Sequence, residues 1–338
     1  MAEKDEFAVF DGAVIRSEHL GEVKGDKDHP VYDVAFECSS NYLCHIGVTI
    51  YSILKNNRDL KLRFNLFTND IEPEDKEKFR KMAEEWGSQV SIYYMNNDAF
   101  TEMLHEDHNA TFFYRFLFAP TLKALGAKRI LSVDGDILCQ GSVRELLEMD
   151  MGGKILAGVR DTSERVAEYR RSLVGTKQYF NAGMIMMDVE AWNKARISQK
   201  AWQMAIDRRK SGKHLRSHDQ DILNILLDDS VILIDPKYNY MYNLDMKPLL
   251  KKQEPLVDNP KAVFVHYAGI IKPWRTWIQE LPGVVRYRKY WLESPWSDVP
   301  MVGFTRNKDV HQAARNARRC GHYGESLKLY LQYFSKKL

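Results

Sequence analysis

Two carboxylates lie one residue apart directly after a short apolar run, and their chemistry is the most specific in the chain. Asp134 and Asp136 flank Gly135 and follow residues 130–133. Like charges at this spacing repel each other and stabilise a structure only when a cation lies between them. Gly135 lets the backbone turn tightly enough for both side chains to converge. Hard divalent cations bind such oxygen pairs and in turn hold phosphates, so the pair predicts a metal–phosphate site. An Asp-Gly turn without a ligand is the alternative.

A second candidate set follows another apolar run, at residues 263–265. His266 offers a nitrogen ligand to the same metal, and a mixed oxygen and nitrogen set suits Mn²⁺ better than Ca²⁺. Gly269 permits close approach of the backbone to a phosphate, and Lys272 is a mobile cation suited to a diphosphate. A histidine at a strand end beside a surface lysine is the alternative, but the ordered set favours function.

The segment at residues 179–183 contains groups suited to a sugar. The Asn181 amide offers both a donor and an acceptor to a hydroxyl. The small residues Ala182 and Gly183 leave room for a ring. A loop before the apolar run that follows is an equally good interpretation.

A further acidic segment lies at residues 218–221. Asp219 is a candidate to bind sugar hydroxyls, and Gln220 is a candidate to lie against the anomeric carbon. Aspartates are also favoured at a helix N-terminus, by capping and by the helix dipole. We therefore expect one of Asp219 and Asp221 to cap a helix and the other to act in the site.

Alternating strand and helix patterns predict the elements that position these residues. Strands are expected at residues 31–36, 62–68, 90–95, 129–133, 155–160, 184–188, 231–234 and 263–267. Helices are expected at residues 41–56, 73–86 and 198–210, from residue 218, and at 111–125 with an interruption near Pro120. This order predicts an open α/β sheet with helices on both faces. Ligands bind beyond the carboxyl ends of strands in such sheets, which is where Asp134 and His266 fall.

The composition of the 338-residue chain, with 44% apolar and 28% charged residues, is that of a soluble globular protein. Its four scattered cysteines form no Cys-x-x-Cys pair, which indicates a reducing compartment without a zinc motif or a disulfide framework. We see neither a signal peptide nor a membrane-spanning run. The sequence has no dinucleotide-binding or Walker loop and no nucleic-acid-binding module, so those function classes are disfavoured.

The net charge of +3 is unevenly distributed. Residues 301–338 contain eight Lys or Arg and two Asp or Glu, so the remainder of the chain is slightly acidic. A basic, aromatic tail indicates a surface that meets anions, and a pair of solvated helices is the alternative.

In this order the motifs resemble glycosyltransferase family 8, over about residues 31–280. They are most similar to the bacterial branch that builds the lipopolysaccharide outer core. The resemblance implies a GT-A type fold: a nucleotide-binding mixed α/β sheet with helices on both faces. The chain then divides into an N-terminal extension at 1–30, a catalytic domain at 31–280 and a basic helical C-terminal region at 281–338.

The resemblance also implies an activity. Such enzymes use Mn²⁺ or Mg²⁺ and a UDP-hexose donor, and they keep the α configuration of the transferred sugar. We therefore expect transfer of glucose or galactose to a lipopolysaccharide core oligosaccharide. The expected location is cytoplasmic, peripheral on the inner face of the inner membrane, with the basic C-terminal region on anionic lipid.

The matching positions imply a role for each site residue. The metal ligands are Asp134, Asp136 and His266. The catalytic residues around the reacting carbon are Gln220, Asp219 and Asp161. The nucleoside, sugar and diphosphate contacts are Asn41, Tyr42, Arg115, Asn181, Ala182, Gly269 and Lys272, with Tyr42 stacking on uracil. The chain departs from the family at Ser39 and Ser40, where acidic residues are frequent, which weakens the inference of uridine selectivity.

Two other functions compete with this one. A family 8 enzyme with a protein or another cell-surface polymer as acceptor would show the same motifs. A non-catalytic scaffold that binds nucleotide sugars would need a broken metal triad, whereas all three residues are present. A nucleic-acid partner is suggested only by the basic tail and is not expected.

Overall fold

A computed structural model describes residues 10, 12–25, 29–104, 109–161, 164–213, 215–244 and 258–335. The described residues contain eleven strands. They are β1 Val14–Leu20, β2 Val31–Cys38, β3 Lys61–Thr68, β4 Gln89–Met95, β5 Arg129–Val133, β6 Ile137–Cys139, β7 Leu156–Arg160, β8 Phe180–Asp188, β9 Val231–Leu233, β10 Tyr240–Met241 and β11 Phe264–His266.

The helices between and after these strands are mostly short. They are α1 Leu43–Asn56, α2 Pro73–Trp86, α3 Phe118–Lys123, α4 Arg144–Glu148, α5 Glu164–Tyr169, α6 Val189–Lys194, α7 Ile197–Lys210, α8 His218–Leu227, α9 Pro282–Glu293, α10 Asn307–Arg319 and α11 Tyr323–Ser335. Tighter 3₁₀ segments span Ser40–Tyr42, Asn97–Met103, Ala110–Leu117 and Pro236–Tyr238, and a π-helical turn spans Arg170–Val174.

Eight strands form one mixed sheet in the order β1-β4-β3-β2-β5-β8-β7-β9. Strands β2 to β5 pair in parallel, whereas β8 runs antiparallel to both of its neighbours, β5 and β7. The carboxyl ends of β2, β5 and β7 therefore meet the amino end of β8 at one edge of the sheet. The candidate site residues from the first two thirds of the sequence lie at or beside that edge: they are at 41–42, 115, 134–136, 161 and 179–183.

Side-chain alternation along the central strands places a hydrophobic core on each face of this sheet. Val34 and Phe36 join one core together with residues of α1 and α2. Ala35 joins the other, with α3, α7 and α8. Since successive strand residues point to opposite faces, this division is the direct result of the apolar pattern of β2. The predicted α/β architecture with helices on both faces is confirmed.

A small second sheet, in the order β10-β11-β6, joins the last third of the chain to the site. Its core includes Val284, Tyr287 and Trp291 of α9 and Ala313 of α10. Helices α9 and α10 therefore pack against this small sheet. Within the described part of the chain, no helix combines the length and apolar content required to cross a bilayer.

Three sequence-based predictions were wrong in detail. Residues 14–20, assigned to an N-terminal extension without a predicted strand, form an edge strand that pairs antiparallel with β4. The helix expected at 111–125 does break near Pro120, but the break is the end of a 3₁₀ segment at Leu117; Pro120 itself lies in the first turn of α3, where its missing N–H has no intrahelical partner. Asn181, Ala182 and Gly183 belong to β8 and not to a loop before it.

Candidate functional site

Asp134, Asp136 and His266 converge at the edge of the large sheet, as the sequence predicted. The antiparallel pairing of β6 with β11 places Ile137 opposite His266, which brings the preceding Asp136 beside the imidazole. Asp136 Oδ1 lies 3.4 Å from His266 Nε2. One ligand atom from each of the three side chains lies within 4.8 Å of the other two. The arrangement has the ligand types and the spacing of a cation site.

The orientation of the His266 ring is set by two asparagines. The backbone N–H of Gly183 donates to Asn181 Oδ1 at 3.0 Å, and Asn239 Nδ2 donates to the same oxygen at 2.9 Å. Asn239 Oδ1 therefore faces His266 Nδ1, 2.9 Å away, and accepts its hydrogen. In the neutral ring this leaves the lone pair on Nε2, directed at the carboxylate of Asp136. A partner on the second nitrogen is typical of metal-binding histidines.

Asp136 is buried, and its two oxygens have different surroundings. Oδ2 accepts a hydrogen bond from Lys272 Nζ, which also donates to Tyr267 O at 2.9 Å. Oδ1 has no hydrogen-bond partner among the described residues. Burial pushes the pKa of Asp136 up, but the charge of Lys272, joined by that of His266 whenever the ring is protonated, holds it below its usual range. An ionised, unpartnered oxygen facing an imidazole lone pair fits a divalent cation such as Mn²⁺ or Mg²⁺.

Beside this cluster, a buried guanidinium lies among three carboxylates. Arg115 donates from its backbone N and its Nε to Glu37, at 2.9 and 2.8 Å. Its Nη2 donates to Asp134 Oδ1 at 2.9 Å, and its Nε lies 2.9 Å from Asp219 Oδ2. Burial raises the pKa of Glu37 to about 8 and that of Asp219 to about 6, against the attraction of Arg115. One guanidinium thus orders three acidic groups at the edge of the metal cluster.

The remaining predicted sugar contacts form a hydrogen-bonded set around Asp161. Asn181 Nδ2 and Gln220 Nε2 both donate to Asp161 Oδ2, at 3.3 and 3.4 Å. The two backbone groups of Ala182 are used within the protein, since its N–H donates to Gln220 Oε1 at 2.9 Å and its carbonyl accepts from Arg115 Nη1 at 2.5 Å. Ala182 therefore positions Gln220 and Arg115 by its backbone.

The two aspartates near the start of α8 have different partners, but the expectation that one of them caps the helix was wrong, because the N-cap residue is Ser217 and no described side chain caps the helix. Asp221 is fully buried and its Oδ2 accepts the backbone N–H groups of Arg216 and Ser217, both at 3.1 Å. It thereby closes the turn that begins the helix. Asp219 instead lies against Arg115.

Asn41 and Tyr42 lie just after β2 ends, and the Tyr42 ring faces Gly135. Asn41 is exposed and accepts a hydrogen bond from Ser39, while Tyr42 packs edge-on against Trp274 with ring centroids 5.6 Å apart. Gly269 has a φ of +99°, so the backbone there adopts a conformation that side chains disfavour.

The glycines of the site serve close packing more than unusual backbone angles. Gly135 lies in the predicted tight turn, where the Ile137 N–H donates to the Asp134 carbonyl at 3.3 Å, but it does so without a positive φ. A Cβ there would lie 2.6 Å from Ile46 Cγ1 and 3.1 Å from Tyr42 Cδ1. A Cβ on Gly183 would lie 2.4 Å from His266 Cε1. The room beside Gly183 is therefore filled by the imidazole, and the expectation that it accommodates a sugar ring was wrong.

Sequence reasoning missed two residues that hold the site together. Glu37 carries a signal, because it is a charged residue near the end of a mostly apolar strand. Asn239 carries none, because only the pairing of β10 with β11 brings it to His266.

Comparison with known proteins places this geometry in a family. The family model described as glycosyl transferase family 8 matches residues 33–278. A lipopolysaccharide 1,3-galactosyltransferase of Salmonella typhimurium is 29% identical, over 92% of this chain and 93% of its own. The lipopolysaccharide glucosyltransferase WaaO of Escherichia coli is 27% identical, over 93% and 95%. A lipopolysaccharide 1,2-glucosyltransferase of Escherichia coli is 30% identical, over 79% of each chain.

Solved structures agree with the fold. The galactosyltransferase LgtC, in complex with donor and acceptor sugar analogues, superimposes with a TM-score of 0.64 at 21% identity, over 78% of this chain and 96% of its own. The span of the family model and the relative at 30% identity settle the membership. The chain belongs to glycosyl transferase family 8.

Proposed function

We propose that the protein is a retaining, metal-assisted hexosyltransferase that moves glucose or galactose from UDP-hexose to a lipopolysaccharide core oligosaccharide. The observation that carries the proposal is the cluster of Asp134, Asp136 and His266 at the ligand-binding edge of the sheet, in a chain of family 8. All three members are present and oriented, which favours an enzyme over a scaffold that only binds nucleotide sugars.

In this proposal the three side chains hold Mn²⁺ or Mg²⁺. Once bound, the cation supplies electrostatic stabilisation for the negative charge that develops on the departing diphosphate. Lys272 reaches the same place, since its ammonium group already contacts Asp136. Gly269 precedes it in a backbone conformation that allows close approach to a phosphate. Asn41 and Tyr42 border the site for the nucleoside.

The donor hexose lies, in the same proposal, between Arg115 and the set around Asp161. Arg115, Asp161, Asn181 and Asp219 bind its hydroxyls, and Gln220 lies beside the anomeric carbon. Asp219 is a poor nucleophile, because it is buried and paired with Arg115. We therefore favour attack of the acceptor hydroxyl from the face that the diphosphate leaves, with a diphosphate oxygen taking the proton. A glycosyl group trapped on Asp219 would overturn this mechanism.

The proposed acceptor rests on the relatives that align over most of the chain. The lipopolysaccharide 1,3-galactosyltransferase and the lipopolysaccharide glucosyltransferase WaaO each align over more than 90% of both chains. Helix α11 presents exposed apolar side chains, and Arg315, Arg318 and Lys328 are exposed nearby. Such a surface supports peripheral binding to anionic lipid on the cytoplasmic face of the inner membrane.

The test is release of UDP from UDP-glucose and UDP-galactose in the presence of Mn²⁺, with and without core oligosaccharide. Asp136→Asn should lower turnover about 100-fold or more, because it removes a charged metal ligand while keeping the shape of the side chain. The exposed Asp98→Asn is the matched control and should behave as the wild type. Binding of UDP-hexose without any turnover by the wild type would establish the scaffold instead.

A further inference from the structure

We infer that Phe112 and His218 form an aromatic wall that binds the acceptor hexose. The inference rests on the proposed function and names the surface against which the second sugar lies. Phe112 and His218 stack with ring centroids 4.8 Å apart and an interplanar angle of 19°. They come from two different elements, the 3₁₀ segment Ala110–Leu117 and the start of α8.

Phe112 is an exception in its segment. The other seven residues between Ala110 and Leu117 are buried, whereas Phe112 keeps 40% of its surface exposed. His218 already covers part of the ring by stacking. The stack of two rings from two elements, with one ring left exposed, presents a flat aromatic surface on which a ligand can pack.

The two rings lie directly outside the proposed donor site. In a 3₁₀ helix, residues three apart eclipse one another, so Phe112 lies one turn from Arg115 on the same ridge. His218 immediately precedes Asp219 in the chain, and Asp219 lies 2.9 Å from Arg115. The aromatic stack and the ion pair therefore join the same two elements, with the exposed Phe112 and the half-buried His218 outside and the buried charges inside. An acceptor hexose packed on the two rings therefore lies beside the donor hexose, on the side towards solvent.

The backbone holds His218 in this position by an uncommon conformation. His218 has a φ of +36°, one of two positive values among the described non-glycine residues, the other being at Arg196. Such values cost energy for residues with a side chain and persist where the surroundings impose them. Here the conformation coincides with the point at which the ring meets Phe112.

The chemistry of the wall selects its ligand. One face of a hexopyranose carries mainly C–H groups, and an aromatic ring binds such a face by removing apolar surface from water and by dispersion contacts. Arg208 and Lys213 line a pocket together with His218, but Phe112 does not line it, so the exposed ring of Phe112 offers a ligand apolar surface and no charge. We therefore assign it to a neutral hexose.

The experiment measures binding of simple acceptor analogues by saturation-transfer NMR. The enzyme is loaded with UDP and Mg²⁺, and the probes are the methyl α- and β-glycosides of glucose and galactose. Phe112→Ala should raise the dissociation constant of the bound glycosides about fivefold or more, and Phe112→Trp should restore it. His218→Phe, which keeps a stacking partner, should bind like the wild type. The Kd for UDP, measured in the same samples, should stay within twofold of the wild-type value.

Leu125→Ala is the matched control. Leu125 is as exposed as Phe112, at 41%, but it precedes β5 and so lies at the opposite edge of the sheet from Asp134. Equal glycoside binding by Phe112→Ala and the wild type would overturn the inference, and so would a wild type that binds none of the four glycosides. Hydrolysis of UDP-hexose by the wild type without an acceptor separates the two proposals. If the enzyme hydrolyses UDP-hexose but the glycoside experiment fails, the aromatic wall is wrong and the proposed function stands.

Discussion

At the scale of single residues, the site depends on which nitrogen of His266 faces the carboxylates. The chain from the Gly183 N–H through Asn181 and Asn239 determines this without any charged group. Such partners of a metal ligand fix its orientation and its basicity. The metal site is therefore built as much by amides as by the acidic residues that first drew attention to it.

This dependence can be tested at Asn239. Asn239→Ala should weaken Mn²⁺ binding by about 10- to 100-fold, because the imidazole loses the acceptor that fixes its tautomer. Asn239→Asp keeps an acceptor for Nδ1 and should retain most of the affinity. Titration of Mn²⁺ followed by electron paramagnetic resonance measures both. Unchanged affinity in the alanine variant would show that the ring is held in place by other contacts.

A buried histidine behind the site should make stability depend on pH. His45 stacks on Trp274 with centroids 3.7 Å apart, and burial lowers its pKa to about 3. In the unfolded chain the His45 imidazole binds a proton near pH 6.5, whereas in the folded protein it stays neutral down to about pH 3. The contribution of His45 to the free energy of unfolding is therefore fully present above pH 6.5 and falls as the pH drops towards 3. Relative to His45→Phe, which cannot titrate, the wild type should lose about 2 kcal/mol between pH 7 and pH 5.

Urea unfolding of both proteins across this range gives the difference directly. Parallel stability curves for the wild type and His45→Phe would mean that water reaches the imidazole. The variant also lacks the contact of 3.4 Å between His45 Nδ1 and the Tyr287 hydroxyl, which shifts its curve by a constant amount but does not change the slope.

The sequence identified the charged members of the site but not their supports. Asp134, Asp136, His266 and Lys272 were found because polar groups after apolar runs are conspicuous. Glu37 lies inside a strand and Asn239 lies between two short strands, so their partners become known only when distant segments pair. The mistake at Gly183 has the same origin, because the ring that fills its space comes from β11.

At the scale of elements, α1 packs closely against Trp296 at Gly47. A Cβ on Gly47 would lie 2.3 Å from an atom of the indole ring, which is fully buried and donates from Nε1 to Asp75 at 2.6 Å. Trp296 thereby fastens α1 and α2 to the C-terminal part of the chain. Glycine in a helix is normally a weakness, and here it provides the space for the tryptophan.

Gly47→Ala should therefore destabilise the protein by about 1–3 kcal/mol, although alanine is the better helix former. Gly324→Ala is the control. Gly324 lies in α11, and no described atom would come within 4 Å of its added Cβ, so that variant should be neutral or gain up to about 1 kcal/mol. Thermal unfolding compares the two, and equal stabilities would mean that the indole moves aside at little cost.

Most elements were predictable, because their apolar periods are strong. Strands β2, β3, β4 and β5 and helix α2 were predicted to within two residues of their bounds. Strand β1 was missed because its polar sequence packs on only one neighbour, as an edge strand. Strands β6 and β10 are too short for any period to be visible, and β6 exists only through its pairing with β11.

At the scale of the whole molecule, the exposed stripe on α11 is the feature most suited to a membrane surface. Tyr323, Leu327 and Leu331 recur every four residues, and Leu327 and Leu331 are 62% and 63% exposed. Helix α10 beneath it is largely buried on its inner side, so deletion of the tail would also damage the body. Point substitutions on α11 are the cleaner test.

The pair Leu327→Asp and Leu331→Asp should lower sedimentation with anionic vesicles by about tenfold or more, since it adds charge to the inserted face. Binding of the wild type should weaken with salt, because exposed Arg and Lys contribute to it. Leu173→Asp, at another exposed leucine, is the control. Retention of vesicle binding by the double variant would assign the membrane contact to another surface.

The close packing of Trp296 on Gly47 also has a consequence for biosynthesis. Helix α1 emerges from the ribosome long before Trp296, and almost the whole large sheet is translated in between. Until Trp296 has been synthesised, the apolar surface of α1 that it covers stays exposed in the nascent chain, and chaperones bind such surface. A polypeptide truncated before that point should be captured by them and degraded, even though it contains every residue of the metal site.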